Sequence, residues 1–221
     1  MPTRIKICCI SSLEEAEQAV TAGADALGLV SKMPSGPGVI SDELIRKIAE
    51  WAPPAIGTFL LTQRTSAEDI ADHVNCCGTN TVQVVNHISP DEWQKLVTLL
   101  PSAVRRIQVI HIEGENALNL IEAYAPFVHA FLLDSGRPSA EVQELGGTGR
   151  VHNWDVSSRF VTQSPKPVFL AGGLNSANIG RAILKVRPFG ADLCSGVREN
   201  GRLSREKLGE FMRNARNVIP P

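Results

Sequence analysis

Val168-Phe-Leu-Ala-Gly-Gly-Leu-Asn175 is a short apolar run that stops abruptly at two glycines, and Gly190-Ala-Asp-Leu-Cys-Ser-Gly196 repeats the pattern further along. In each case a helix-like segment follows, so each reads as a strand feeding a turn. Glycine carries no Cβ to block a ligand, so backbone N–H groups at such a turn form an anion cradle. Glycines in these places also let a helix pack closely against a strand. Two cradles on adjacent parallel strands near the C-terminus form the pattern of a (β/α)8 barrel, whose phosphate site lies in the loops after strands seven and eight.

The rest of the chain supplies the remaining alternations. Arg4–Cys8 reads as strand one, and Ser12 with Glu15 forms a capping box that opens a helix to Ala22, closed by Gly23. Ala26–Val30 is strand two; a Pro- and Gly-rich loop over Ser31–Gly38 leads to a helix over Asp42–Trp51. Ala55–Leu61, Asn80–Val85 and Arg105–His111 read as strands three to five. Ser66 caps the intervening helix to Asn75, and Ser89-Pro90-Asp91-Glu92 opens a helix to Leu100.

A fifth helix is expected over Ala117–Tyr124 and strand six over Ala130–Leu133. From Asp134 to His152 the chain is polar and glycine-rich, a length that marks a functional loop. Helix Trp154–Thr162, strand Val168–Leu170, helix Ser176–Lys185, strand Ala191–Cys194 and helix Ser204–Val218 complete the series. An open dinucleotide-binding sheet is disfavoured, because Cys8-Cys9-Ile10-Ser11-Ser12 stands where a Gly-x-Gly-x-x-Gly turn would be. The expected architecture is one (β/α)8 TIM barrel domain spanning residues 1–221.

The chain has 221 residues, against about 250 for a typical barrel. A net charge of −1 gives no reason to expect nucleic acid or a membrane surface as partner, and a small molecule is the expected substrate. No apolar run approaches the roughly 20 residues needed to span a bilayer, and the N-terminus has no signal-peptide pattern. The five cysteines include the neighbouring pairs Cys8-Cys9 and Cys76-Cys77, and neighbours rarely pair with each other. A reduced, cytoplasmic protein is expected. The histidines show no ligand spacing, so no metal is expected.

In a parallel barrel the C-terminal ends of the strands face one mouth. Cys8 ends strand one and Asp134 ends strand six, at the same rim as the two cradles. A thiol with a reference pKa of about 8.5 serves as a base where positive potential, from Lys6 or the cradle amides, favours the thiolate. The carboxyl serves as an acid if its site raises its pKa. Cys9, Cys76, Cys77 and Cys194 read as small buried hydrophobes.

Lys6-Ile-Cys8, Gly23-Ala-Asp-Ala-Leu-Gly28, Val82-Gln83, Leu133-Asp134, Gly146-Gly-Thr-Gly149, Ala171-Gly-Gly-Leu-Asn175, Arg187-Pro-Phe189 and Ser195-Gly-Val197 together resemble the phosphoribosylanthranilate isomerases of tryptophan biosynthesis. The resemblance implies an isomerase that carries out an Amadori rearrangement without a cofactor, converting an aldose-derived imine to a ketose amine. Asp134 takes the place of the acid that protonates the ring oxygen, and Cys8 that of the base that removes the C2′ proton. The substrate phosphate would rest on Gly172, Gly173, Ser195 and Gly196, with Gly147 nearby.

The chain departs from the family pattern beside the amine end of the substrate. Cys9 replaces a glycine, Gly38 stands where the family has an arginine for the anthranilate carboxylate, and Val85 and Asn86 replace a His-Gly pair. Losing such an arginine costs about 1.5 to 3 kcal/mol unless another cation serves. Lys32 and Arg137 are the candidates for that role. Two alternatives follow: a family member taking a different phosphoribosylamine, and a catalytically silent barrel that binds sugar phosphates. A monomer and a homodimer are both compatible with the sequence.

Overall fold

The structure is a computed structural model and describes residues 2–34, 36–136 and 152–218. Among these, eight parallel strands follow in sequence order: β1 (Arg4–Ile7), β2 (Ala26–Val30), β3 (Gly57–Thr62), β4 (Thr81–Val84), β5 (Arg105–His111), β6 (Ala130–Asp134), β7 (Val168–Leu170) and β8 (Gly190–Leu193). β8 pairs back onto β1, with Lys6 opposite Asp192 and Ile7 opposite Leu193, so the barrel is closed. Around it lie α1 (Leu13–Thr21), α2 (Asp42–Trp51), α3 (Ala67–Cys77), α4 (Pro90–Leu99), α5 (Leu120–Tyr124), α6 (Trp154–Gln163), α7 (Ile179–Val186) and α8 (Arg205–Arg216). The TIM barrel expected from sequence is the fold observed.

Side chains along a strand alternate between its two faces, and the alternation sorts the core into two layers. Ile5, Ile7, Leu60, Phe131, Leu133 and Leu170 pack outward against helix residues such as Ile45, Ile70 and Leu208. Cys8, Phe59, Leu61, Ile107, Val109, Leu132 and Phe169 form a second cluster inside the barrel. Lys6 shares the face of Cys8, and Asp134 that of Leu132. The same parity that fills the barrel therefore aims a thiol and a carboxyl at its interior.

Several boundaries differ from expectation for identifiable reasons. Residues expected to open the seventh helix form a turn instead, because the Asn175 side chain accepts from the amides of Ala177 and Asn178 while Asn178 accepts from the Asn175 amide. Asx side chains compete with the helix for backbone partners in this way. The fifth helix is split into a 3-10 segment, Glu115–Asn119, and α5. A small ribbon, β9 (Arg198–Glu199) with β10 (Arg202–Leu203), precedes α8 and was not anticipated.

Both capping boxes close on one side only. Ser12 Oγ accepts from the Glu15 amide at 3.1 Å and Ser89 Oγ from the Glu92 amide at 3.2 Å. The glutamates do not return to their caps: Glu15 accepts from the amides of Ser11 and Leu203, and Glu92 from that of Ala67.

Candidate active site

Cys8 follows β1 directly, and its amide donates to the Leu193 carbonyl at 2.8 Å, which fixes it at the β1–β8 seam. Asp134 ends β6, and its Oδ1 accepts from the Ser135 amide at 2.7 Å. Burial pushes the Asp134 carboxyl up to about 6, and the nearby Asp192 carboxylate adds to the rise, while the Ser135 amide and Lys6 oppose it. A carboxyl so placed retains its proton to a higher pH than an exposed one, as a proton donor requires.

Lys6 joins these two groups. Its side chain is fully buried inside the barrel, with Nζ 2.9 Å from Asp192 Oδ1 and 5.3 Å from the centre of the Phe59 ring. Burial pulls the ammonium pKa down, but Asp192 and the Cys8 thiol outweigh it, and the net shift is upward. Lys6 thus stays charged. Its field reaches Cys8 on one side and Asp134 on the other, so the two groups share one electrostatic neighbourhood. Lys6 is legible in the sequence as a source of positive potential, whereas Asp192, its partner on the adjacent strand, is not. Replacing Lys6 with methionine leaves the Asp192 carboxylate unpaired in the interior and is expected to destabilise the fold by about 3 to 5 kcal/mol, read by urea denaturation.

A second missed residue is Arg198, in β9. Its guanidinium grips Glu15 through both carboxylate oxygens, at 2.9 and 3.0 Å, and also donates to the backbone carbonyls of Cys8 and Cys9. Burial pushes Glu15 up, yet Arg198 and the Leu203 and Ser11 amides hold its carboxyl below the usual range. The pair locks the backbone that carries Cys8 to α1 and β9. Nothing in local sequence signals a clamp between residues so far apart in the chain.

Gly28 of β2 makes room for the thiol. A Cβ there would stand 2.6 Å from Cys8 Sγ and 3.0 Å from Lys6 Nζ. A Cβ would also stand 2.9 Å from Cys8 Cα, so Gly28→Ala is expected to shift the end of β1 together with the thiol and to lower kcat, read in steady-state kinetics, by about 10²-fold.

The two cradles meet above β7 and β8. Gly172 and Gly173 have φ of 82° and 63°, backbone that L side chains rarely adopt, and the Gly173 carbonyl is pinned by Asn178 Nδ2 at 2.9 Å. A Cβ on Gly196 would fall 2.1 Å from the Leu174 carbonyl oxygen, so this glycine allows the eighth loop to lie against the seventh. Among the described residues, no group accepts from the amides of Gly172, Gly173, Ser195 or Gly196. Gly147 and Arg137 lie outside the described residues. Lys32 is exposed on the loop after β2.

The profile of the N-(5'-phosphoribosyl)anthranilate isomerase family matches residues 5–214. The chain belongs to this family. It is 34% identical over 216 residues to N-(5'-phosphoribosyl)anthranilate isomerase 2 of Methanosarcina mazei, covering 97% of this chain and 94% of that one. With the isomerase of Pelobacter propionicus the identity is 36% over 218 residues, covering 97% and 96%. The crystal structure of the Thermotoga maritima isomerase superposes with a TM-score of 0.81 at 29% identity, covering 96% of this chain and 98% of that one.

Within this family member, two departures from the family pattern touch each other. Cys9 holds a left-handed φ of 63°, and a Cβ on Gly38 would stand 2.4 Å from the Cys9 Cβ. The Cys9 side chain therefore occupies the space into which a side chain at position 38 would begin. Val85 is buried in the interior cluster, with its carbonyl 3.0 Å from His111 Nε2, and Asn86 Nδ2 donates to the Gln63 carbonyl. Position 86 thus ties the end of strand four to that of strand three.

The readings of the cysteines as buried and of the histidines as lacking any ligand spacing need correction. Cys76 is exposed and Cys194 is half-buried, so only Cys9 and Cys77 fit the reading of small buried hydrophobes. His73 and Cys77 lie four residues apart on α3, a ligand-like spacing missed in the sequence, and with Asp42 their ligand atoms fall within 4.8 Å of one another. His73 is already held, with Nδ1 3.0 Å from Thr62 Oγ1 and Nε2 3.1 Å from Asp42 Oδ1.

Proposed function

We propose that the chain isomerises N-(5'-phosphoribosyl)anthranilate, with Asp134 as general acid and Cys8 as general base. Asp134 donates its proton to the ring oxygen, the C1′–O bond breaks, and the nitrogen lone pair forms the imine. Cys8 thiolate then takes the C2′ proton, giving an enolamine that tautomerises to the ketose amine. The phosphate rests on the amides of Gly172, Gly173, Ser195 and Gly196. The observation that carries this reading is the shared Lys6 field, which ties a raised carboxyl to a thiol at one end of one barrel. Every proton is supplied or taken by the protein or solvent, so the scheme needs no cofactor.

The test is steady-state turnover of phosphoribosylanthranilate, with kcat/KM expected between about 10⁴ and 10⁸ M⁻¹s⁻¹. A second reading is favoured by the contact of Cys9 with Gly38: the same rearrangement on a different phosphoribosylamine. Turnover of other phosphoribosylamines, with phosphoribosylanthranilate left unconverted, would establish it. Lys32 and Arg137 remain the proposed cations for the amine's carboxylate, and each would raise KM when replaced by alanine. No helix among the described residues is long and apolar enough to cross a membrane, and the free thiols favour a cytoplasmic location. Light scattering separates the monomer from the homodimer.

A further inference from the structure

His73 and Cys77 stand four residues apart on α3, a spacing that sets two side chains on one face of a helix. Both are buried, and Cys77 belongs to the layer between strands and helices, apart from the interior cluster that holds Cys8. Asp42 reaches them from the first position of α2, and one ligand atom from each of the three residues lies within 4.8 Å of the other two.

We propose that Asp42, His73 and Cys77 bind one divalent transition-metal ion, with Zn2+ the best match, outside the barrel and between α2 and α3. The donor set selects the ion. A thiolate, an imidazole and a carboxylate suit a cation of borderline softness, whereas Mg2+ and Ca2+ take oxygen ligands.

The surrounding contacts prepare these ligands. Thr62 Oγ1, at the end of β3, stands 3.0 Å from His73 Nδ1, so an Nδ1–H donating to it leaves the Nε2 lone pair for the ion. Metal-bound imidazoles usually have such an outer partner, which fixes the ring and its tautomer. Nε2 faces Asp42 Oδ1 at 3.1 Å, close to the roughly 3.4 Å between two ligand atoms of a tetrahedral zinc site. A shift of about 1 Å in the side chains brings all three to bonding distance. Asp42 Oδ2 lies 3.9 Å from the Arg64 guanidinium, which holds the carboxylate from its other oxygen. The Asp42 side chain is 40% exposed, which gives the ion and a fourth, water ligand a way in. Binding releases one proton: the imidazole proton moves from Nε2 to Nδ1, and the Cys77 thiol gives its proton to solvent as the sulfur takes the ion. Carboxylate and thiolate then set two negative charges against the two positive charges of the ion.

The test strips the whole protein of metal with a chelator, removes the chelator by dialysis, and titrates Co2+ as a spectroscopic probe, followed by Zn2+ in competition. The expected result is one Co2+ per chain with a thiolate-to-cobalt charge-transfer band, its displacement by one equivalent of Zn2+, and a Tm that rises with Zn2+. Cys77→Ser should abolish the band, and Cys76→Ser, at the exposed neighbour, should keep it. Asp42→Asn, at a half-exposed position, should weaken Zn2+ binding by at least about tenfold, the lower end of the loss seen even for an outer-shell partner. No saturable binding, a band that survives in Cys77→Ser or vanishes in Cys76→Ser, or an unchanged Zn2+ affinity in Asp42→Asn overturns the proposal. Turnover is no part of the readout, so the outcome does not depend on which phosphoribosylamine the chain isomerises.

Discussion

Cys8→Ala is expected to lower kcat by about 10² to 10⁴-fold, the usual worth of a positioned general base, with little change in KM. The split follows from the layout of the site. Cys8 sits at the β1–β8 seam, whereas the proposed phosphate cradle is backbone from the turns after β7 and β8. Removing the thiol takes away a group engaged only when the C2′ proton moves, so ground-state affinity for the sugar phosphate should persist. Steady-state kinetics together with calorimetric binding of a product analogue read both quantities. Loss of affinity without loss of kcat would mean that Cys8 lines the site but moves no proton.

Asp134→Asn is expected to lower kcat by a similar about 10² to 10⁴-fold and to stabilise the protein at neutral pH. The second effect has a definite sign. The folded carboxyl is raised from 3.8 to about 6, so the folded state holds the proton more tightly than the unfolded chain does. Between those two values each rise in pH costs the fold stability, and above pH 6 the full penalty is present, on the order of 3 kcal/mol. Asparagine has no such penalty. The variant's gain in Tm should be large at pH 7 and should shrink below pH 4, where the native carboxyl is protonated in both states. A gain that did not depend on pH would show that the carboxylate is not strained by burial.

These paired effects explain what the sequence could and could not reveal. Strand parity is local, with Cys8 two past Lys6 at the end of β1 and Asp134 two past Leu132 in β6, so the inward aim of both groups was readable once a barrel had been recognised. The glycine turns after β7 and β8 were readable from the abrupt end of each apolar run. Long-range polar pairing was not. The Lys6–Asp192 contact depends on β8 closing against β1, and the Arg198–Glu15 clamp on the β9–β10 ribbon folding over α1.

The contact between Cys9 and Gly38 was hidden in a different way. Both positions depart from the family pattern, and nothing local in the sequence shows that they touch. The structure brings one against the other, so the cysteine's side chain and the missing arginine are two sides of a single packing change. Substituting position 38 alone would drive a Cβ into Cys9, which is why restoring an arginine there requires changing both residues.

The most direct measurement is a crystal structure of this chain with a reduced, non-reacting analogue of the ketose amine product bound. The expected result has the Cys8 sulfur about 3 to 3.5 Å from C2′, with Asp134 within hydrogen-bonding reach of the oxygen that closed the ribose ring. The phosphate would lie on the amides of Gly172, Gly173, Ser195 and Gly196. A phosphate seated elsewhere, or a sugar that reaches only one of the two side chains, would contradict the account.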